Sequence, residues 1–262
     1  VQLTFPHRET WLHQVNPGLK LLLFALLFPA VIWIHNLNIM INLAAGMLLL
    51  LAGAGHPWKR LLLYASPFIL IFISTSTGMM FFGKGETTWW RWGLVHITEE
   101  SFYRGLHLGC RAICMAAAGL LFGLTTRPVK LFYSLMHQWR LPPKYAYSFL
   151  AAMRMIPILI EEFQTLRHAL AIRGAKRKVS RWNLYARIKM YAIPLLAQSI
   201  RRAQRIAVAM EAKGFSEAKR TYFYVIGYSW ADAWLIVYFI GMFAAAGWAG
   251  SMFPYFDALD VR

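Results

Sequence analysis

Long apolar runs alternate along this chain with segments in which apolar residues recur every three or four positions. The two patterns predict two kinds of helix. NPGLKLLLFALLFPAVIWI carries the first run to Ile34. Asn16 can cap it, and Pro17 suits its first helical position. After the uncharged turn HNLN, IMINLAAGMLLLLAGA predicts a return from Ile39 to Ala54. Each run is a little shorter than the roughly 20 residues a bilayer core requires, so a tilted or partly sheltered hairpin stays open. A third helix is predicted from Leu61 to about Phe82, with Pro67 inside it and STST at 74–77. Such hydroxyls usually bond back to their own helix or across to a neighbour. A loop at 83–103 precedes a fourth helix, from about Tyr103 to Leu124. WADAWLIVYFIGMFAAAGWA at 230–249 is the last. Ser229 and Asp232 predict a capping box at its start, which makes Asp232 an interfacial cap rather than an intramembrane proton carrier.

The second pattern fills the region between the fourth and last runs. PVKLFYSLMHQW predicts a short amphipathic helix from near Pro128. Beyond LPPK, core-like positions recur at Phe149, Ala152, Ile156, Leu159, Phe163, Leu166 and Leu170. Beyond SRWN they recur at Ile193, Leu196, Ile200, Ala203, Ala207 and Met210. This alternation predicts a packing seam on each of two long helices, with Arg201, Arg202 and Arg205 directed away from it. Pro157 and Pro194 each remove one backbone hydrogen bond from these helices and are expected to bend them. Met153, Met155, Met190 and Met210 line or edge them. Core filling explains these methionines, and so does an adaptable surface for a moving partner.

Composition changes the picture by naming the solvent. The 262 residues are 58% hydrophobic and only 15% charged, which calls for lipid around the apolar runs. The net charge is nevertheless +17, and Arg127 to Arg220 holds nineteen Lys/Arg against four acids. No nucleic-acid-binding motif accompanies this block, so the positive-inside rule is the better account. The expected fold is an all-α polytopic membrane protein with about five transmembrane helices and a cytoplasmic coupling region of amphipathic helices. Residues 1–126 would hold the first four transmembrane helices, 127–221 the cytoplasmic coupling helices, and 222–262 the last transmembrane helix and an outer tail. The expected location is the cell membrane, multi-pass, with the N-terminus cytoplasmic and the C-terminus outside. No cleavable signal peptide is evident.

Candidate chemistry is thin. GMMFFGKG at 78–85 approaches a phosphate-binding loop, but its last position is Gly85 and it ends an apolar helix. Cys110 and Cys114 share a helix face, and two ligands do not make a zinc site. Arg104, His107 and Arg111 share a face of the fourth helix. Arg111 lies deep enough to need protein or water, either an acid or carbonyls within the chain, or a partner or anionic substrate. No catalytic or metal-binding constellation emerges, and no cofactor is expected.

Two hexapeptides remain. ALAIRG at 169–174 and AMEAKG at 209–214 each place an alanine, a bulky apolar residue, two further positions, a base and a glycine. Glycine past a helix end and a base in the last turn form an ordinary cap. Capping does not require the same upstream spacing twice, whereas two equivalent basic tips suit two equivalent acidic pockets.

With TWLHQVNPGLKLLL at 10–23, LTTRP at 124–128, IRGAKRK at 172–178 and AMEAKGFSEAKRT at 209–221, nearly the whole chain resembles the transmembrane (T) component of energy-coupling factor (ECF) transporters, ABC-type importers of vitamins and metals. The departures are Ile172 before the first Arg-Gly pair and Lys213 where arginine is usual. The resemblance implies a non-catalytic subunit that couples two separate cytosolic ATPases to a small membrane-embedded substrate-binding S component. It assigns the charge contacts to Arg173 and Lys213, the helix ends to Gly174 and Gly214, and close approach to Ala169 and Ala209. The implied task is vitamin uptake, with thiamine or its hydroxymethylpyrimidine precursor as the expected cargo. Biotin, cobalt or a module shared among S components stay open. The alternatives are a self-sufficient secondary transporter or channel, which should show repeated halves and midplane ionisable residues, a membrane-embedded enzyme, and a basic module binding lipid or nucleic acid.

Overall fold

The computed structural model describes residues 10–83, 87–92, 95–174, 183–215, 226–252 and Phe256. Expectations that fall on 84–86, 175–182, 216–225 and the C-terminal tail from 257 lie outside them. The described chain is helical apart from one hairpin. Its elements are α1 (Trp11–Gln14), α2 (Pro17–Trp33), α3 (Leu37–Ala52), α4 (Trp58–Phe82), β1 (Thr88–Trp92), β2 (Val95–Thr98), α5 (Glu99–Thr125), α6 (Pro128–Gln138), α7 (Pro143–Ile172), α8 (Leu184–Ala212) and α9 (Trp230–Met252). They form two compact units: 1–134 with 226–262, and 135–225.

In the first unit, α4, α5 and α9 are long and apolar enough to cross a membrane. The apolar α2 and α3, 17 and 16 residues long, reach only about 25 Å at 1.5 Å per residue. Among the described residues three helices, not five, have full spanning length, and the short pair is only partly sheltered, with Leu26, Ile32, Trp33 and Leu49 exposed. Leu43, Met47, Leu50 and Leu51 of α3 are buried, in a core shared with Phe24, Leu27 and Val31 of α2, Leu121 of α5 and Leu235 and Phe239 of α9. By contrast α4 buries only Leu61 and Ser76 and leaves Leu62, Leu63, Ile69, Leu70 and Ile71 exposed. A helix apolar on an uncovered face needs lipid there. Thr77 Oγ1 donates back to the Ile73 carbonyl at 2.6 Å, and Gly78–Phe82, the start of the loop-like GMMFFGKG, simply ends α4.

The expected loop at 83–103 contains the antiparallel β1–β2 hairpin, and α5 starts four residues earlier than its apolar run. TWWRW and VHIT are rich in aromatic and β-branched residues, which suit a strand. Thr98 Oγ1 accepts from the Ser101 N–H and Ser101 Oγ from the Thr98 N–H, a capping box that fixes the start of α5.

In the second unit, α7 and α8 run antiparallel. Tyr147 meets Phe215 edge-on, Glu162 pairs with Arg202, and Phe163 meets Tyr191, so partners descend α8 as they ascend α7. Both helices continue through Pro157 and Pro194. The predicted seam is corrected in part. Phe149, Ile156, Phe163, Ile193, Leu196 and Ile200 are exposed, between 38% and 61%. Leu159, Leu166 and Leu170 of the predicted α7 seam and Met210 of the α8 seam are half-buried, joined by Met155 and Glu162 on α7 and by Tyr191, Leu195, Arg202 and Ile206 on α8. Arg202, expected to face away, is an inter-helix partner because its guanidinium neutralises Glu162.

Candidate functional site

The last turns of α7 and α8 are built alike, atom for atom in the backbone. The Arg173 N–H donates to the Ala169 carbonyl at 3.1 Å and the Gly174 N–H to Ala171 at 3.2 Å. Forty residues on, the Lys213 N–H donates to Ala209 at 3.2 Å and the Gly214 N–H to Glu211 at 2.9 Å. Gly174 and Gly214 take left-handed φ values of +67° and +71°. The Phe215 N–H closes the second motif on the Met210 carbonyl at 3.0 Å, completing a Schellman cap. Helix α6 ends the same way without glycine: Arg140 has φ +52° and the Leu141 N–H reaches the Leu135 carbonyl. The cap alone is therefore not the signature. What α7 and α8 share is a cation on the cap residue followed by glycine.

Arg173 and Lys213 are both exposed, and Ile172 beside the first is 88% exposed. Each cation sits where unpaired carbonyls leave the negative end of a helix, so its side chain is free to reach outward while the cap holds its backbone. Ala169 is half-buried and Ala209 exposed. The antiparallel pairing separates the motifs. Gly174 lies about 40 Å of helix beyond Tyr147, and Phe215, next to Gly214, packs against Tyr147. The two tips thus stand at opposite ends of the pair.

In the first unit, Arg111 takes the structural option. Its Nη2 donates to the Ile32 and Ile34 carbonyls at 3.3 and 3.2 Å, and His107 Nε2 meets Ile34 O at 3.1 Å. These are orphan carbonyls at the C-terminus of α2, where a cation complements the dipole. Cys110 and Cys114 are free thiols on α5. Among the described residues no group of three or more His, Cys, Asp or Glu could hold a metal ion.

The sequence reading missed a buried polar cluster. Asn16 Oδ1 accepts from the Gly18 N–H at 3.0 Å, the expected cap, and also from the Ser134 hydroxyl at 2.7 Å. Its Nδ2 donates to the Gly227 carbonyl at 3.3 Å. Asp232 accepts from the Asn16 N–H on one oxygen and the Ser229 N–H on the other, both at 2.6 Å. It caps α9 as expected, and it is only 3% exposed. Lys20 is fully buried, with Nζ donating to the Thr125 carbonyl and Oγ1 at 3.2 Å each. A lysine four positions into an apolar helix was the available signal, since such a charge must have partners.

Residues 8–223 match the CbiQ family, described as cobalt transport protein. The chain is 27% identical over 243 residues to an energy-coupling factor transporter transmembrane protein, EcfT, of Listeria innocua, covering 87% of this chain and 90% of that protein. EcfT of Brevibacillus brevis is 27% identical, with 92% and 94% covered. EcfT of Acidaminococcus fermentans is 28% identical, with 85% and 86% covered.

Proposed function

The chain belongs to the CbiQ family as a transmembrane component of an energy-coupling factor transporter, and from that premise we propose that α7 and α8 are its coupling levers. Arg173 and Lys213, each followed by Gly174 or Gly214, enter acidic grooves on two cytosolic ABC ATPases, with Ala169 and Ala209 allowing close approach. The observation that carries this reading is the duplicated cap with a cation at each of two opposite ends. Two like tips at two separate ends suit two like partners. The chain itself hydrolyses nothing in this reading. It passes movement to a small membrane-embedded S component that carries the cargo, a vitamin, with thiamine or its hydroxymethylpyrimidine precursor as the expected one.

Two further features support it. The exposed apolar stripe of Phe149, Ile156, Phe163, Ile193, Leu196 and Ile200 is larger than single scattered surface residues and suits an apolar partner. Met153, Met155, Met190 and Met210 are half-buried along its edges, where thioethers can repack. The positive-inside rule, applied to the basic block from Arg127 to Arg220, supports a cytoplasmic position for this region and the N-terminus, with the C-terminus outside.

The test is purification of the tagged chain with the proteins its own cells supply. Two nucleotide-binding subunits and one small apolar protein per chain, with ATP-dependent vitamin uptake after reconstitution, are expected. Uptake by the chain alone, without nucleotide, would instead establish the secondary-transporter reading.

A further inference from the structure

The chain leaves the first unit after Ser134 and re-enters it at Ile226. Both crossings meet at one side chain. Asn16 accepts from the Ser134 hydroxyl at the exit and donates to the Gly227 carbonyl at the return. Its own N–H is held by Asp232, whose second oxygen holds the Ser229 N–H beside Gly227. Asn16, Ser134 and Asp232 are between 0% and 3% exposed, so water does not compete for these bonds. Gly18 receives nothing from Asn16 that Ser134 does not also supply, because the Ser134 oxygen accepts from the same N–H at 3.1 Å. The cap of α2 is therefore doubly provided. The reach of Asn16 to both crossings is the feature a simple cap does not need.

We propose that Asn16 is a positioning residue that clasps the exit and return crossings together at the start of α2, so that displacement of 135–225 reaches the membrane helices as one movement instead of being lost in two independently moving links. Serine at this position could still cap α2, but its side chain is too short to span from Ser134 to Gly227. Asparagine is needed because its amide accepts on one atom and donates from another, so the two bonds can point to different crossings. The inference rests on the coupling function proposed above.

The experiment uses the complete complex, ATPases and S component included, in proteoliposomes, and reads vitamin taken up per ATP hydrolysed. Asn16→Ser is expected to leave complex yield and ATP hydrolysis near wild type while uptake per ATP falls at least about fivefold, the lower end of ordinary coupling between sites. Ser134→Ala, which removes one arm, is expected to fall in between. Wild-type uptake per ATP in Asn16→Ser would overturn the clasp and leave Asn16 a local cap. Loss of ATP hydrolysis in proportion to uptake in both variants would equally overturn it, since that is a folding role. A wild-type complex with no ATP-driven uptake would instead sink the coupling reading itself, and the clasp with it.

Discussion

Arg173 and Lys213 occupy the same backbone position and differ only in the cation they present. A guanidinium offers a planar fork that can engage a carboxylate through two parallel hydrogen bonds, whereas an ammonium is a strongly hydrated point charge. Removing one partner of a desolvated, hydrogen-bonded pair costs roughly 2–5 kcal/mol. Arg173→Ala is therefore expected to weaken ATPase co-purification more than Lys213→Ala. Quantifying retained ATPase on immobilised complex checks this, and equal retention at the wild-type level in both would remove the two cations from the interface. The neighbouring glycines contribute differently. A Cβ at Gly174 or Gly214 would meet nothing within 4 Å, so a substitution there acts through the left-handed backbone alone. Alanine should cost about 1–2 kcal/mol at Gly214, and asparagine, which tolerates this conformation, distinctly less. Hydrogen exchange at the Phe215 amide, which closes the cap on Met210, reads that difference directly.

Packing between elements follows small residues where lipid supplies no hydrophobic drive. Gly105 and Gly109 lie four apart on α5 and face α4. A Cβ at Gly109 would come within 2.5 Å of the Phe72 ring, and one at Gly105 within 2.8 Å of the Ser76 carbonyl. This small-xxx-small pair lets the two longest apolar helices approach closely. Gly109→Val should destabilise by about 1–3 kcal/mol through overpacking, while Gly119→Val on the same helix, where a Cβ has open space, should cost far less. Thermal unfolding of the two variants in detergent decides between them. The helices themselves were readable from apolar runs and caps: Asn16, Pro17 and the boundaries of α2, α4 and α6 stand within a few residues of expectation. The inward faces of α7 and α8 were readable only in part, through Leu159, Leu166, Leu170 and Met210. Apolar residues cover more than one face of each helix, so a three-four alternation can be traced through Ile156 and Ile200 as easily as through Met155 and Ile206. Only the neighbouring helix distinguishes the two, and it lies against the second. The hexapeptides were legible because cap chemistry is local. The Asn16 cluster was not, because its members lie up to 216 positions apart in sequence.

The antiparallel arrangement of α7 and α8 turns a sequence repeat into a geometric statement about the whole molecule. Had the two helices run parallel, both basic tips would face one partner, and a single ATPase with two grooves would suffice. With the tips some 40 Å of helix apart, they reach two subunits only if those subunits sit side by side, as a pair of small globular ATPases does. A cysteine exchanged for Arg173 should then cross-link to one ATPase copy, and one exchanged for Lys213 to the other. The doubly substituted chain should give a band carrying two ATPases, each singly substituted chain a band carrying one. Where the two ATPases are different proteins, mass spectrometry of the single-cysteine bands should also show a preference, because Ile172 and Ala212 make the flanking surfaces unlike. A double variant that captures only one ATPase would mean that the repeated ending serves a single partner, and the lever would have one working end.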